Sequence, residues 1–358
     1  MRDESLVERV VRATNHAKSA LMAGYTTYRD LGTEGLRDAD VSFRDTINRS
    51  IIPGPRMFVA TETIASSSGY EIRQENGMPG VDTTIPRISD SADGVDGVRT
   101  AVRRRLGAGA DIVKFYATTG NGGCGFPRRH GKERGRSYQN PNLLLFTQEE
   151  MDAMVSEAKR GHAPISAHAQ SPEGVIMAAK AGVTTIEHGF IPSDEALDAM
   201  KENNTIFVPT LAVLETELRP EPESRTPNDV LKKFLDHTKA AYDRGIKLAC
   251  GGDTGAFAHG DNARELELMI EAGLPLEDVL QAATLHGWEA CGGDLCGRKF
   301  GCIEEGRAAD IVALGGNLAE DLGALRKVKF VMKDGTVYKE ERTQGFDIHT
   351  RSGLMPRK

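Results

Sequence analysis

The feature that most restricts how this chain can fold is a short pattern that occurs five times. In each copy a helical segment ends at glycine, and a short apolar run that ends on polar residues follows it. The copies read AGYTTYRD, AGADIVKFY, RGHAPISAH, AGVTTIEHG and RGIKLACGGD. Glycine is the usual left-handed residue after a helix, and a short apolar run bounded in this way is typical of a buried strand. Helices and strands that alternate in this manner predict βα units and a parallel sheet.

The most informative unit extends from residue 161 to residue 189 and reads GHAPISAHAQSPEGVIMAAKAGVTTIEHG. It predicts a strand that ends on His168, then a helix that Ser171 caps and Pro172 begins. A second strand follows and ends on the Glu-His-Gly that contains His188. A strand–helix–strand unit of this size makes two parallel strands, side by side or nearly so. Both histidines therefore lie at the carboxyl ends of close neighbours, where parallel α/β folds bind their ligands.

The number of such strands indicates the architecture. Seven strands are predicted, and they end near Asp30, Thr63, Lys114, His168, His188, Thr210 and Asp253. Seven βα units favour an α/β barrel that lacks one strand over an open sheet, and a doubly wound sheet remains the alternative.

The C-terminal part of the chain follows a different pattern. Residues 301–339 contain short β runs around the hairpin signal Asp334-Gly335, so we expect a small β appendage there. The resulting division assigns residues 1–295 to the barrel, 296–340 to the appendage and 341–358 to a loose polar tail.

The composition argues against several classes of function. The net charge is −7, which disfavours binding to nucleic acid or to an anionic membrane. Apolar runs are too short to cross a bilayer, and the N-terminal segment has helical spacing rather than the continuous apolar stretch of a signal peptide. Five cysteines, an odd number with no CxxC pair, fit a reducing compartment. We therefore expect a cytoplasmic protein that acts on a small molecule.

Four of the predicted strand ends carry reactive side chains: Lys114, His168, His188 and Asp253. In a barrel these ends converge on one mouth. Two neutral imidazoles and a carboxylate are ordinary ligands of a divalent transition metal. Lysine fits such a site if carbon dioxide converts its amine to a carbamate, whose two oxygens can bridge metal ions. Two alternatives remain: Lys114 pairs with a carboxylate such as Asp253, or it is the Schiff-base nucleophile of a lyase, which leaves the histidines unexplained.

Five segments taken together resemble the amidohydrolase superfamily. They are GYTTYRDLG, DIVKFYATTG, AHAQSPEGVIMAAKAGVTTIEHG, CGGDTGAFAHG and EEGRAADIVAL, and they extend from about residue 24 to residue 338. The branch that is most similar contains imidazolonepropionase-like and Xaa-Pro dipeptidase (prolidase)-type enzymes, together with fungal ochratoxin-hydrolysing amidases. The resemblance implies a TIM-like (β/α)8 barrel with a β-sandwich remnant. It also implies hydrolysis of an amide, peptide-like or cyclic amide C–N bond.

The resemblance further implies a role for each candidate residue. Lys114 is the carboxylated lysine that bridges two divalent metals, most simply zinc, and His168 and His188 hold the second metal. Asp253 binds the first metal and is the general base toward a metal-bound hydroxide, which attacks the amide carbon. Tyr116 occupies the position where relatives place a tyrosine on the substrate.

The chain departs from the family pattern at three places. The family opens with a barrel strand bearing His-x-His, and none of the nine histidines here are separated by one residue. Relatives often read HAH where residues 168–170 read HAQ, and often have a histidine where residues 69–71 read GYE. Without the first strand we expect at most about one metal per protomer and slow or no hydrolysis; a non-catalytic barrel is the alternative. Two open sheet edges would favour a homo-oligomer or partial collapse.

A basic loop between residues 120 and 142 is a further candidate. It contains five lysines and arginines, including Arg128 and Arg129, against one acid. A solvated basic loop is the simpler interpretation. The alternative is a lid over the barrel mouth that attracts a substrate carboxylate, because arginine suits bidentate carboxylate binding.

Overall fold

The computed structural model describes residues 4–69, 88–119, 144–190, 193–218 and 227–341. The helices in these ranges are α1 (Leu6–Met22), α2 (Ala39–Asn48), α3 (Gly94–Ala108), α4 (Gln148–Arg160), α5 (Pro172–Ala181), α6 (Asp194–Glu202), α7 (Leu211–Glu217), α8 (Pro227–Asp243), α9 (Ala263–Glu271), α10 (Leu276–Ala283) and α11 (Leu285–Ala290). The strands are β1 (Thr27–Asp30), β2 (Arg56–Val59), β3 (Thr63–Ala65), β4 (Ser89–Ser91), β5 (Val113–Tyr116), β6 (Ile165–Ala169), β7 (Thr185–His188), β8 (Ile206–Val208), β9 (Ile311–Leu314), β10 (Val328–Lys333) and β11 (Thr336–Glu340).

The main sheet is parallel, with the strand order β4-β3-β5-β6-β7-β8. β1 pairs in parallel with β2, which leads along the chain into β3. Beyond β8, Leu248 makes a single parallel bridge to Phe207. Helices separate most of the successive strands, so the order along the chain is the βα order of an α/β barrel, as the sequence pattern predicts.

Local sequence explains why the central unit forms. The Ser171 hydroxyl accepts the N–H of Gly174 at 3.2 Å, with Pro172 as the first residue of α5. Gly182 ends that helix with a φ of 86°, in the left-handed region. α4 begins with a capping box, in which Thr147 and Glu150 bond reciprocally to each other's backbone N–H.

The strands divide their side chains between two environments. Ile165, Ala167 and Ile186 belong to the apolar core between the sheet and the surrounding helices. The intervening residues of β6 and β7 are polar and equally buried, such as Ser166 and Glu187. This alternation follows from the two-residue period of a strand, and it gives the inner side of the sheet a polar lining.

The sequence pattern also predicts a strand over residues 56–63, a strand over 246–250 and a helix over 276–286, and these three elements differ in detail from the structure. The expected strand 56–63 is divided into β2 and β3, because Thr61 adopts a φ of 61° between them. The expected strand 246–250 pairs only around Leu248. The expected helix 276–286 breaks at Thr284, whose φ of −126° is not helical, and gives α10 and α11. β4 and α7 were not expected at all.

The C-terminal sheet is antiparallel and has the order β11-β10-β9. Asp334 and Gly335 join β10 to β11 with φ values of 51° and 77°, the two positive values that a tight hairpin requires. The predicted β appendage is therefore present. Its inner face packs on α1, where Leu21 meets Val328 and Val331. Among the described residues, no helix is both long enough and apolar enough to span a bilayer.

Candidate functional site

The two strand-end histidines lie side by side. Ala169 and His188 are register partners across β6 and β7, and His168 precedes Ala169 in its strand. The ring centroids of His168 and His188 are 4.4 Å apart, with an angle of 61° between the planes. The predicted convergence of these two side chains is therefore confirmed.

The backbone at this end of the sheet is unusual. His188, Thr210 and Asp253 follow or end three consecutive strand segments, and their φ values are 76°, 51° and 56°. Residues other than glycine rarely adopt positive φ, and each instance costs about 1–3 kcal/mol. Strain of this kind concentrates at functional sites, which supports the mouth of the barrel as the site.

The His168 ring offers an unused nitrogen. Its Nε2 atom is buried and has no hydrogen-bond partner among the residues that the structure describes. A buried polar atom without a partner costs free energy that a bound ligand can return. The ring of Tyr116, at the end of β5, lies 5.0 Å from the His168 ring, centroid to centroid. The His188 ring differs, because its Nδ1 lies 2.9 Å from the Thr210 hydroxyl and only Nε2 remains for a ligand.

The charge state of both histidines suits metal binding. Burial, together with the nearby Lys114 charge, lowers the pKa of His188 to about 3. Burial also lowers the pKa of His168 well below its usual value, with further lowering from His188 and Lys114. Both rings are consequently neutral at physiological pH, and neutral imidazole is the form that binds a metal.

Lys114 belongs to the same site. Its side chain lies in β5 next to β6 and is buried. Burial lowers its pKa to about 8; the carboxylates of Glu187 and Asp253 oppose this effect and the Arg29 guanidinium adds to it. A fraction of the amine is therefore neutral near physiological pH, which is the form that can react with carbon dioxide.

Asp253 borders the site from the segment after Leu248. The residue as a whole is exposed to solvent, while the surrounding protein desolvates its carboxyl group. This desolvation raises the pKa of Asp253. The Lys114 charge opposes the rise, and the negative charges of Glu187 and Glu217 add to it. Among the described residues, no group of three or more His, Cys, Asp or Glu side chains is arranged so that it could hold a metal ion. Lysine is not one of these four residue types, so a site that includes Lys114 is not covered by this statement.

The site contains contacts that sequence reasoning missed. Arg29 in β1 donates to both carboxylate oxygens of Glu187, at 3.1 and 3.0 Å, on the polar side of the sheet beside Lys114. Glu265 in α9 is fully buried and accepts the first two N–H groups of α7. The alternation of TIEHG indicates that Glu187 shares a face with Thr185, but nothing local identifies Arg29 as its partner. Arg128 and Arg129 lie outside the described residues.

Comparison with known proteins decides the family. A sequence model of the amidohydrolase family matches residues 8–339, which is most of the chain. The chain belongs to the amidohydrolase family. Its α/β barrel with a small antiparallel sheet is the fold of this family's solved members. Within the family, the chain is 31% identical over 342 residues to ochratoxinase from Aspergillus niger. That alignment covers 89% of this chain, which spans 66% of the length of the relative.

Solved structures of related amidohydrolases are also similar. A Xaa-Pro dipeptidase with methionine bound in its active site is 34% identical, with a TM-score of 0.77 over 94% of this chain and 80% of the other. The crystal structure of A. niger ochratoxinase is 28% identical, with a TM-score of 0.77 over 94% of this chain and 77% of the other. The predicted resemblance to the prolidase-type branch, with its ochratoxin-hydrolysing member, is thus confirmed.

Proposed function

We propose that this amidohydrolase cleaves the C–N bond of a small amide or dipeptide-like substrate with the help of a divalent metal, most simply zinc. The observation that carries the proposal is the buried, unpartnered Nε2 of His168 beside the ring of His188, whose Nδ1 is already engaged. Two neutral imidazoles with free nitrogens, next to a buried lysine, are a donor set that fits a divalent cation.

Each candidate residue has a part in this proposal. His168 and His188 would hold the metal, and Lys114 would contribute oxygens as a carbamate formed with carbon dioxide. A bound divalent cation makes water a better nucleophile and polarises the substrate carbonyl. Asp253 would accept a proton from the attacking water and deliver it to the leaving nitrogen as the C–N bond breaks. Its raised pKa supports the first of these steps, because it makes the Asp253 carboxylate a stronger base toward the attacking water.

The names of the related proteins support the substrate class. Ochratoxinase and Xaa-Pro dipeptidase are the relatives reported above, and an amino acid occupies the active site of the latter. We infer that this protein takes an amide that also bears a carboxylate, with Tyr116 on the substrate and Arg128 and Arg129 on its carboxylate. Changing both arginines to glutamine should raise KM for a carboxylate-bearing amide far more than for a neutral amide. Equal increases would contradict this role.

The metal assignment is tested by metal content and amidase turnover in matched variants. His168→Ala and His188→Ala should each lose most of the bound zinc and the activity. His162→Asn is the control, because His162 is an exposed histidine in the turn after α4 and asparagine tolerates its φ of 55°. Unchanged metal content in the first two variants would disprove the site.

The same protein distinguishes this proposal from the Schiff-base alternative. A carbamate on Lys114 should appear as a ¹³C signal after incubation with labelled bicarbonate, and Lys114→Ala should lack that signal. A Schiff-base lyase would instead be trapped by borohydride with a carbonyl substrate, without need of metal. Trapping at Lys114 in a metal-free sample would replace the hydrolase proposal.

A further inference from the structure

The hydroxyl of Thr210 is in an uncommon position for a residue before a helix. Thr210 is the N-cap residue of α7, and such a side chain usually accepts an N–H from the first turn. Here it makes no capping bond, its φ is 51°, and only 3% of its surface is exposed. Its Oγ1 lies instead 2.9 Å from Nδ1 of His188, one strand away. The Thr210 hydroxyl therefore forms a hydrogen bond with His188 and does not cap α7.

Glu265 performs the capping that Thr210 does not. Its carboxyl accepts the N–H of Leu211 at 3.0 Å and that of Ala212 at 2.7 Å. Glu265 is fully buried in α9, 54 positions further along the chain from Leu211. Because this distant side chain satisfies the start of α7, the hydroxyl of Thr210 is available to His188, and the left-handed backbone of Thr210 is held in place.

We propose that Thr210 is a positioning residue: its Oγ1 accepts the Nδ1 proton of His188 and thereby leaves Nε2 of that ring unprotonated. A neutral imidazole carries one proton, so fixing it on Nδ1 turns Nε2 into a lone-pair donor. The opposite assignment, in which Thr210 donates to Nδ1, would put the proton on Nε2 and block metal binding there. The inference rests on the proposed function only in naming a metal as the group that Nε2 serves.

The variants that test this role keep the shape of the site. Thr210→Val removes the hydroxyl and retains the branched side chain, so the backbone strain is unchanged. Thr210→Ser retains the hydroxyl and should restore the parent properties. Thr205→Val is the matched control, because Thr205 lies just before β8, the strand that leads to Thr210, and its buried hydroxyl has no hydrogen-bond partner among the described residues. Urea denaturation identifies any variant that fails to fold.

The first measurement is the tautomer of His188, from ¹⁵N chemical shifts in the metal-free protein. The parent and Thr210→Ser should carry the proton on Nδ1, and Thr210→Val should show a mixture of the two forms. The second measurement is zinc affinity by chelator competition. Thr210→Val should bind zinc about 10–100-fold more weakly, as expected for loss of a partner behind a metal-ligating histidine. Thr205→Val should match the parent in both measurements.

The outcomes distinguish the positioning role of Thr210 from the proposal that the site binds a metal. A parent protein with the proton of His188 on Nε2 would overturn the role of Thr210, whether or not zinc binds. Equal tautomers and equal zinc affinities in the parent and Thr210→Val would do the same. If the parent binds no zinc but shows the expected tautomer shift between variants, the metal proposal fails and the positioning role stands.

Discussion

At the scale of single residues, three carboxyl groups near the carboxyl ends of the strands are buried and hold raised pKa values. Burial raises the pKa of Asp30 to about 6, against an opposing hydrogen bond from the Gly32 N–H. Burial and the charge of Asp30 raise the pKa of Asp40 to about 7. Burial raises the pKa of Glu265 to about 8, although two backbone N–H groups favour its charged form. Each group therefore binds its proton more tightly in the folded than in the unfolded protein.

This difference gives the stability of the protein a pH dependence. Glu265 is protonated in both states below its unfolded pKa of about 4.5, and above about 8 it is charged in both. Between these values the folded state keeps a proton that the unfolded state has lost, so the free energy of unfolding falls as the pH rises. The slope for one proton is at most ~1.4 kcal/mol per pH unit.

We predict that Glu265→Gln removes this contribution, because glutamine does not titrate. Between pH 5 and pH 7 the parent should lose free energy of unfolding relative to the variant, by up to ~1.4 kcal/mol per pH unit. Urea denaturation across the pH range measures the difference. Glu271→Gln, at an exposed position of the same helix, is the control. Parallel curves for the parent and Glu265→Gln would contradict the raised pKa.

At the scale of elements, a buried ion pair connects β1 to the middle of the sheet. Arg29 donates to Glu187 in β7, to the Thr185 hydroxyl at 2.9 Å, to the Ser166 hydroxyl at 3.3 Å and to the Ala290 carbonyl at 3.1 Å. The Arg29 and Glu187 side chains are only 12% and 4% exposed. Within the described part of the chain, β1 pairs in the main chain only with β2, so this side-chain network connects β1 directly to β6 and β7.

We predict that Arg29→Met lowers the free energy of unfolding by about 3–5 kcal/mol, because it leaves the Glu187 carboxylate buried without its partner. The double variant Arg29→Met/Glu187→Leu should lose much less, since no charge remains buried. Urea denaturation of both variants and of Glu187→Leu completes a double-mutant cycle. A double variant at least as unstable as the sum of the two single variants would show that the pair is not coupled.

At the scale of the whole molecule, the C-terminal sheet is attached to the barrel by charged contacts as well as apolar ones. Arg56 in β2 donates to both carboxylate oxygens of Asp310, at 2.7 and 3.1 Å, and to Asp334 at 2.6 Å. The Lys333 ammonium donates to the Gly54 carbonyl at 2.6 Å. The buried Arg56 side chain thus joins two parts of the chain that lie more than 250 positions apart.

We predict that Arg56→Met destabilises the protein by about 3 kcal/mol or more, because Asp310 is 8% exposed and would lose its partner. Arg298→Met is the matched control, since Arg298 also pairs with Asp334 but is 51% exposed. An exposed pair of this kind contributes about 1 kcal/mol or less. Urea denaturation measures the free energy of unfolding of Arg56→Met and Arg298→Met. Similar losses in the two variants would mean that burial does not determine how much these ion pairs stabilise the protein.

What the sequence determined by itself is the set of features that depend on neighbours along the chain. The caps at Ser171 and Thr147 bond to a residue three positions away, and Gly182 ends α5 through its own backbone freedom. The alternation of such helices with short apolar runs is enough to predict parallel βα units. The rule that parallel strands present their carboxyl ends together then predicts that His168 and His188 meet.

Only the tertiary structure decided how the site is held. The bond between His188 and Thr210 joins residues 22 positions apart, the Glu265 cap spans 54 positions, and the Arg29–Glu187 pair spans 158. No local pattern selects such partners, because they depend on which strands become neighbours once the barrel forms. The positive φ values of His188, Thr210 and Asp253 are of the same kind. Isolated peptides disfavour these conformations, and the surrounding packed structure supplies the free energy that maintains them.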